Sequence, residues 1–403
     1  MQTTQPSFDL SFDDLATTFS ARSDAELNKM YVLFATMNNS SLVEVGTSLL
    51  KFAFKINFPV KTMVKNTVFE HFCGGENVED CEKTIKKLSQ FNVGTILDYS
   101  VEGEKSEKGF DETEKEILRT VSRAKNSQTI PFCVFKVTGI GNFDLLEAVS
   151  AQKGLTTEQN EAWGRVIKRA DNICKASFEA NVRVFIDAEE TWIQPAIDQI
   201  ADMMMFRYNK NNCIVYNTYQ MYCRNSLPKF QAAIQDAKNR EYILGAKLVR
   251  GAYMERERAR ASEKGYADPI QPNKQASDYD FDEAVKLSVQ NIEHVAICAG
   301  THNEASSLLL ARLMYEQNIS RNHPHIYFAQ LFGMSDNLSY CLSKKGYNVA
   351  KYVPYGPIKA VMPYLFRRAA ENTAMAGQTS REFALIQREM KRRSEARKNA
   401  KKY

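Results

Sequence analysis

No two cysteines of this sequence form a CxxC pair, although it carries eight, at positions 73, 81, 133, 174, 213, 223, 298 and 341. Several sit inside apolar runs such as PFCVFKV and AICAGTHN. That placement reads as buried free thiols in a reducing compartment and supports neither a disulfide framework nor a zinc site. No apolar run approaches the ~18 residues that a membrane-spanning helix needs. No GxxxxGK[ST] phosphate loop occurs. The stretch TGIGNFD has Asp144 where a dinucleotide fingerprint requires its third glycine, so it reads as a turn. Histidine is scarce, with five residues, and the one metal-like spacing is HPH at 323–325. It precedes a strand and no other Cys or His cluster supports it, so a surface loop accounts for it better. The opening MQTTQPSFDLSFDDLATTF is acidic, unlike a secretory signal or an Arg-rich transit peptide, and predicts a cytoplasmic chain.

What is present is an ordinary globular composition, 44% hydrophobic and 25% charged, with enough apolar mass for a substantial core. A length of 403 residues admits two average domains or one large barrel with an extra segment. The net charge of +5 is modest, and most of the excess lies in the closing REMKRRSEARKNAKKY.

Periodicity divides the chain into three parts. Residues 1–90 read as helical, with Ser23 capping SDAELNKMYVLFATM, Asn77 a cap candidate for NVEDCEKTIKKLSQF, and Gly74-Gly75 breaking the chain between helices. From residue 91 to 380 short β-rich runs recur: VGTILDYS, PFCVFKVT, VRVFIDAEE, CIVYNTYQ, YILGAKLVRGAY, VAICAGTHN, IYFAQLFGM and NVAKYVPYG. Charged helical segments separate them. Continuously apolar strands alternating with helices imply parallel pairing, and eight such units predict a (β/α)8 barrel, with a doubly wound open sheet as the alternative. Residues 381–403 read as a basic tail.

In a barrel, chemistry gathers at the C-terminal strand ends. There the sequence places Asp98, Lys136, Asp187 with Glu189, Asn217 with Tyr219 and Gln220, Arg250, then Thr301, His302 and Asn303, and Tyr352. So many polar groups converging on one end point to an enzyme. The Thr-His-Asn triplet can hold a polar ligand or simply cap a helix.

The segment YVPYGPIKAVMPYLFRRAAEN, 352–372, places two arginines side by side just beyond a strand, with Pro363 suited to the first helical turn. Helical spacing puts Tyr364, Arg367, Arg368 and Glu371 on one face. Arg-to-Glu pairing on a solvated helix, worth about 0.3–0.5 kcal/mol, explains one arginine but not its neighbour. Two guanidinium forks from one helix match a carboxylate substrate. Two other readings stay open at this point: a barrel lyase or aldolase using Lys136 as a Schiff base, and a nucleic-acid-binding protein working through its basic tail.

Taken together, YVPYG…PYLFRRAAEN, KLVRGAYMERERA, THN, FIDAEE and QLFGM resemble the FAD-dependent proline dehydrogenase family, in order, over roughly residues 90–380. EHFCGGE and ILDYSVEGE extend the likeness towards its single-function eukaryotic-type members. The resemblance implies a distorted barrel whose last helix lies over the mouth, and oxidation of L-proline to 1-pyrroline-5-carboxylate by hydride transfer to FAD. It implies that Arg367, Arg368 and Lys136 grip the proline carboxylate, that Tyr352, Tyr364 and Leu331 wall the ring, and that Asp187 and Glu371 support this cluster. FAD would contact Asn217, Lys247, Arg250, Gly251, Tyr253, Ser277, His302 and Asn303, with Ala188 and Glu189 nearby. Bacterial bifunctional relatives have Arg at the position of Lys247, Lys at that of Arg250 and Gln at that of Asn217. The family further implies a quinone acceptor. The basic tail offers peripheral contact with an anionic membrane, and no nucleic-acid-reading motif is present.

Overall fold

The first and last strands pair in parallel register, from Gly94 opposite Ala350 to Tyr99 opposite Tyr355, and this pairing closes the sheet. The computed structural model describes residues 8–56, 59–101, 104–374 and 378–400, and the side chains of 40, 51–55 and 369–380 lie outside the described residues. The barrel runs in chain order through β1 (Gly94–Tyr99), β2 (Phe132–Lys136), β3 (Arg183–Asp187), β4 (Val215–Gln220), β5 (Leu244–Val249), β6 (Val295–Gly300), β7 (Ile326–Leu331) and β8 (Val349–Tyr355). Every apolar run singled out in the sequence is one of these strands. Closure excludes the open sheet and gives the (β/α)8 architecture.

The strand period of two sorts the side chains. Ile96, Phe132, Val134, Phe185, Tyr216, Ala296, Cys298, Ala329 and Ala350 fill the barrel interior. Residues of the opposite parity, such as Leu97, Cys133, Ile186, Val215 and Leu248, pack under the outer helices. Large and small residues complement each other inside: Phe132 and Phe185 stack at 4.3 Å, and Tyr216 meets both edge-on. Below them the Arg183 guanidinium lies 5.6 Å from the Phe132 ring and 5.2 Å from that of Tyr327. All eight cysteines are free and buried.

At the N-terminal end, Ser23 caps the helix Asp24–Met37 in a capping box with Glu26, as its sequence predicts. Asn77 does not cap the helix Glu82–Ser89; its side chain accepts from the Asp80 N–H at 2.8 Å, within the preceding turn. The glycine pair does more than separate helices. Gly74 N–H donates to Pro354 O at 2.8 Å, and Gly356 N–H donates to Gly75 O at 3.1 Å, so this stretch runs along the end of β8. A Cβ on Gly75 would lie 2.2 Å from that of Asp80, so a side chain there would force that turn apart.

The basic tail is a helix, Gln378–Ala400, that docks on the N-terminal segment. Leu385 and Ile386 pack with Phe19, Leu27, Met30 and Phe34. Arg393 pairs with Asp24 at 2.7 Å and Glu389 at 2.6 Å. The residues expected as two separate terminal segments therefore form one layer. Among the described residues, no helix is long and apolar enough to cross a membrane.

The helix that carries the double arginine spans Ile358–Ala374. Pro363 stands inside it, not in its first turn, and removes the hydrogen bond to the carbonyl four residues back. Packing compensates: Ile358, Val361, Met362, Tyr364 and Leu365 share a core with Met37, Val64, Phe69 and Phe72 of the N-terminal helices. The arginine helix is held between those helices and the barrel.

Candidate active site

The floor of the mouth is an ionic cluster built by strand register. Lys247 of β5 lies opposite Thr218 of β4 and Cys298 of β6, on the inward parity. Its ammonium pairs with Asp187 Oδ1 at the end of β3, while Tyr352 of β8 donates its hydroxyl to Oδ2 at 2.6 Å. Lys247 also lies 5.1 Å from the Phe185 ring centre and 4.9 Å from that of Tyr352, so its charge sits between two aromatic faces. Asp98, at the end of β1, takes the Ser100 hydroxyl at 2.5 Å. Burial pushes the Asp98 carboxyl up to about 6, against the pull of Lys136 and with a further push from Asp187. Two carboxyl groups and two ammonium groups thus share one end of the barrel.

A second group lies around the ends of β5 and β6. Arg250 donates to Asp278 at 2.6 Å, Thr301 Oγ1 at 2.8 Å and Ser306 Oγ at 3.0 Å, and its guanidinium lies 4.5 Å from the Phe281 ring. This arginine is oriented on every side. Gly251, next in the chain, has φ +141°, and a Cβ there would lie 2.3 Å from the Tyr222 ring, so only bare backbone fits that turn. Tyr253 N–H donates to Tyr222 Oη at 3.2 Å, and Ser277 is buried on the adjacent helix Lys274–Gln290. His302 contacts Ser335 Oγ through Nδ1 at 2.9 Å. Burial, followed by the charges of Lys351, Arg368 and Arg250, pushes the imidazole down to about 3, so it is neutral at ordinary pH. Asn303 caps the helix Glu304–Glu316, accepting from Ser306 N–H at 3.2 Å. The triplet therefore both caps a helix and holds a buried imidazole against Ser335.

Glu189 is buried and accepts from Thr138 twice, from N–H at 3.1 Å and from the hydroxyl at 2.5 Å. Burial pushes its carboxyl up to about 7 even with Lys136 opposing. Ala188 beside it is buried. Asn217 does not look into the mouth. It lies opposite Ile186 and Ala246, both outward, and its amide donates to Asp198 of the helix Gln194–Tyr208 at 3.0 Å. The inward positions of β4 belong to Thr218 and Gln220, and Gln220 donates to Glu189 O at 2.7 Å. Gln220 is already among the strand-end residues expected from the sequence, and counting by two from Tyr216 would have added Thr218.

The arginine helix closes the group from above. Arg368 lies 5.2 Å from the Tyr364 ring, and its charge reaches His302. Burial pushes the Tyr253 phenol up to about 12, while Lys136 and Arg367 act on it from opposite elements. Leu331, at the end of β7, packs with the cluster that contains Tyr364. Arg367, Arg368, Lys136, Leu331, Tyr352 and Tyr364 are thus drawn from three strands and one helix to one end of the barrel. The side chain of Glu371 lies outside the described residues. Asp278, Thr138 and Ser335 entered the site without any motif; each is found only through the partner it holds.

A closed parallel barrel with charged, orienting and aromatic groups gathered at its C-terminal strand ends is the arrangement of a barrel enzyme. Residues 81–381 match the family model described as proline dehydrogenase. The carbapenem antibiotics biosynthesis protein CarD of Pectobacterium carotovorum subsp. carotovorum is 31% identical over 80% of this chain and 83% of its own length. Proline dehydrogenase 1, mitochondrial, of Arabidopsis thaliana is 30% identical over 95% of this chain and 86% of its own. Proline utilization A from Bdellovibrio bacteriovorus, inactivated by N-propargylglycine, superposes with a TM-score of 0.70 at 20% identity, a likeness of fold. This chain is covered over 92% and spans 40% of that longer protein. The chain belongs to the proline dehydrogenase family, a family of flavin-dependent oxidoreductases. Membership sets aside the lyase and nucleic-acid readings.

Proposed function

We propose that this chain oxidises L-proline to 1-pyrroline-5-carboxylate with FAD as its cofactor, the first step of proline catabolism to glutamate. The observation that carries the reading is the adjacent arginine pair on a helix packed over the mouth, with Arg368 set 5.2 Å from the Tyr364 ring. Two forks and the Lys136 ammonium suit a carboxylate, and fixing it sets where the ring carbon points; a misplacement of ~1 Å can cost ~10²-fold in rate. Tyr352, Tyr364 and Leu331 wall the ring. Asp187 holds Tyr352 and Lys247 in place.

The residues around β5 and β6 fit a flavin by their chemistry. They offer an oriented guanidinium at Arg250, bare backbone at Gly251, a neutral imidazole at His302, and polar groups at Ser277, Asn303 and Tyr253. FAD, when bound, supplies the acceptor for the hydride from proline C5. A cationic residue, Arg250 or Lys247, would stabilise the negative charge of the reduced cofactor. Glu189 and Ala188 line the same side, and Asn217 acts through Asp198 rather than by direct contact.

The electron acceptor on this reading is a quinone, reached by peripheral contact with an anionic membrane. The enzyme on this reading works in the cytoplasm, at the inner face of that membrane, whereas the Arabidopsis relative is named as mitochondrial. The test is anaerobic titration of the FAD-loaded protein with L-proline, followed by flavin absorbance. Bleaching is expected; an absorbance that stays constant at saturating proline would overturn the reading.

A further inference from the structure

Four residues, Phe332, Gly333, Met334 and Ser335, connect β7 to the helix Asp336–Lys344, and four other elements hold this connection or the first residue of that helix. His71 contacts Gly333 O through Nε2 at 2.8 Å. Lys351 of β8 donates to Met334 O and pairs with Asp336 at 2.9 Å. Arg22, from the N-terminal segment, pairs with the same Asp336 at 2.9 Å. Glu382, from the C-terminal helix, accepts the Ser335 N–H at 2.7 Å in a buried contact.

Ser335 is the unusual member. It stands at a helix N-cap, where serine ordinarily adopts extended backbone and turns its hydroxyl onto the helix. Here its φ is +50° and ψ +44°, and its side chain makes no cap bond. A non-glycine residue in the left-handed region is strained, so something must over-determine it. The Glu382 carboxylate does so from the backbone side. The Ser335 hydroxyl in turn meets His302 Nδ1 at 2.9 Å.

We propose that Glu382 is a positioning residue for the flavin site. By holding the Ser335 backbone it aims the Ser335 hydroxyl at His302 and fixes the orientation with which the imidazole meets the cofactor. This rests on the reading that His302 contacts FAD. The chain's C-terminal helix, outside the barrel, would then be part of the cofactor site at one remove.

The experiment measures FAD dissociation constant, visible flavin spectrum and thermal midpoint on full-length holoenzyme carrying Ser335→Ala, Glu382→Leu, Glu382→Gln, the Ser335→Ala/Glu382→Leu pair, or His302→Ala. Ser335→Ala and Glu382→Leu should each weaken FAD binding about tenfold and shift the flavin bands alike. The pair should be no worse than either alone, because both break one relay. Glu382→Gln keeps an acceptor oxygen for the Ser335 N–H and should bind FAD within about threefold of wild type. The proposal is overturned if Ser335→Ala, which leaves the Glu382 bond intact, retains wild-type affinity and spectrum, whether or not Glu382→Leu folds. It is also overturned if Glu382→Leu lowers only the thermal midpoint. His302→Ala separates the two levels. A normal FAD affinity in that variant refutes the contact itself, whereas a weakened one beside a normal Ser335→Ala refutes only the relay.

Discussion

Tyr352 Oη lies 2.6 Å from Asp187 Oδ2, joining β8 to β3 across a barrel in which those two strands are not neighbours. The bond holds the phenol upright beside Lys247, whose ammonium takes the other oxygen of the same carboxylate. Removing the hydroxyl with Tyr352→Phe leaves that oxygen without this donor and should lower kcat/KM for proline roughly 3- to 10-fold, the worth of one hydrogen bond. Removing the ring with Tyr352→Ser should narrow the preference for proline over trans-4-hydroxyproline, because a bulky wall no longer opposes the added hydroxyl. An unchanged ratio of the two kcat/KM values would take Tyr352 out of the specificity argument.

Arg367→Met and Arg368→Met each remove a charged partner of the substrate carboxylate. Either should raise KM for proline by the equivalent of about 2–5 kcal/mol while flavin content survives. Tetrahydrofuran-2-carboxylate, which keeps the carboxylate and lacks the amine, isolates this contact. If it binds a variant as tightly as wild type, that arginine does not hold the carboxylate.

Asp336 sets an acid limit on stability. Burial alone would raise its carboxyl, but the Lys351 and Arg22 charges outweigh burial and hold it well below the usual carboxylate range. A native carboxyl that gives up its proton more readily than the unfolded chain stabilises fully above about pH 4, and that stability is lost as pH falls further. Asp336→Asn leaves two buried cations uncompensated and should cost about 3–5 kcal/mol near neutral pH. Denaturant unfolding from pH 7 to 3 should show a constant gap between the two proteins down to about pH 4, then a closing one. A gap that widens on acidification would mean that the carboxylate is not the stabilising form.

The C-terminal helix keeps fewer free charges than its sequence suggests. Arg392 and Arg393 are engaged by Glu389, and Arg393 and Arg397 by Asp24. Lys391, 78% exposed, is only loosely paired with Glu395 at 4.0 Å, and Lys398 is exposed as well. At ~1 kcal/mol per basic residue near an anionic surface, the attachment expected is weak, reversible and salt-sensitive. Truncation at Ser394 spares the buried Leu385, Ile386 and Glu389, so it removes charge without unpacking the helix. Intact protein should sediment with anionic vesicles at low salt more than the truncated form does. Equal sedimentation would leave this helix as ordinary solvated surface.

Much of the architecture was legible because its signals are local. A strand buried on both faces must be apolar throughout, and a polar residue closing such a run marks the open end of a barrel; Lys136, Asp187 and Tyr352 could be placed on that basis. The capping box at Ser23 and Glu26 is likewise complete within four residues. Asn217 shows where local reading stops. Its polarity and its place near a strand end were visible, but the face it presents depends on pairing with β3 and β5, and one step of register moves a side chain from mouth to helix layer.

By itself, then, the sequence determined the elements, their order, the end at which chemistry gathers and the helix that carries the two arginines, because each follows from periodicity or from adjacency along the chain. Tertiary structure alone decided what those residues meet. Arg22 and Asp336 are 314 positions apart, and Ser335 and Glu382 are 47 apart; nothing in either neighbourhood announces the pairing. Lys351 looks like a solvent-facing residue of a strand, yet it is fully buried, and its ion-pair partner is Asp336, the first residue of the helix that follows β7. A buried charge is tolerated only where its partner arrives, and that arrival is a property of the closed fold.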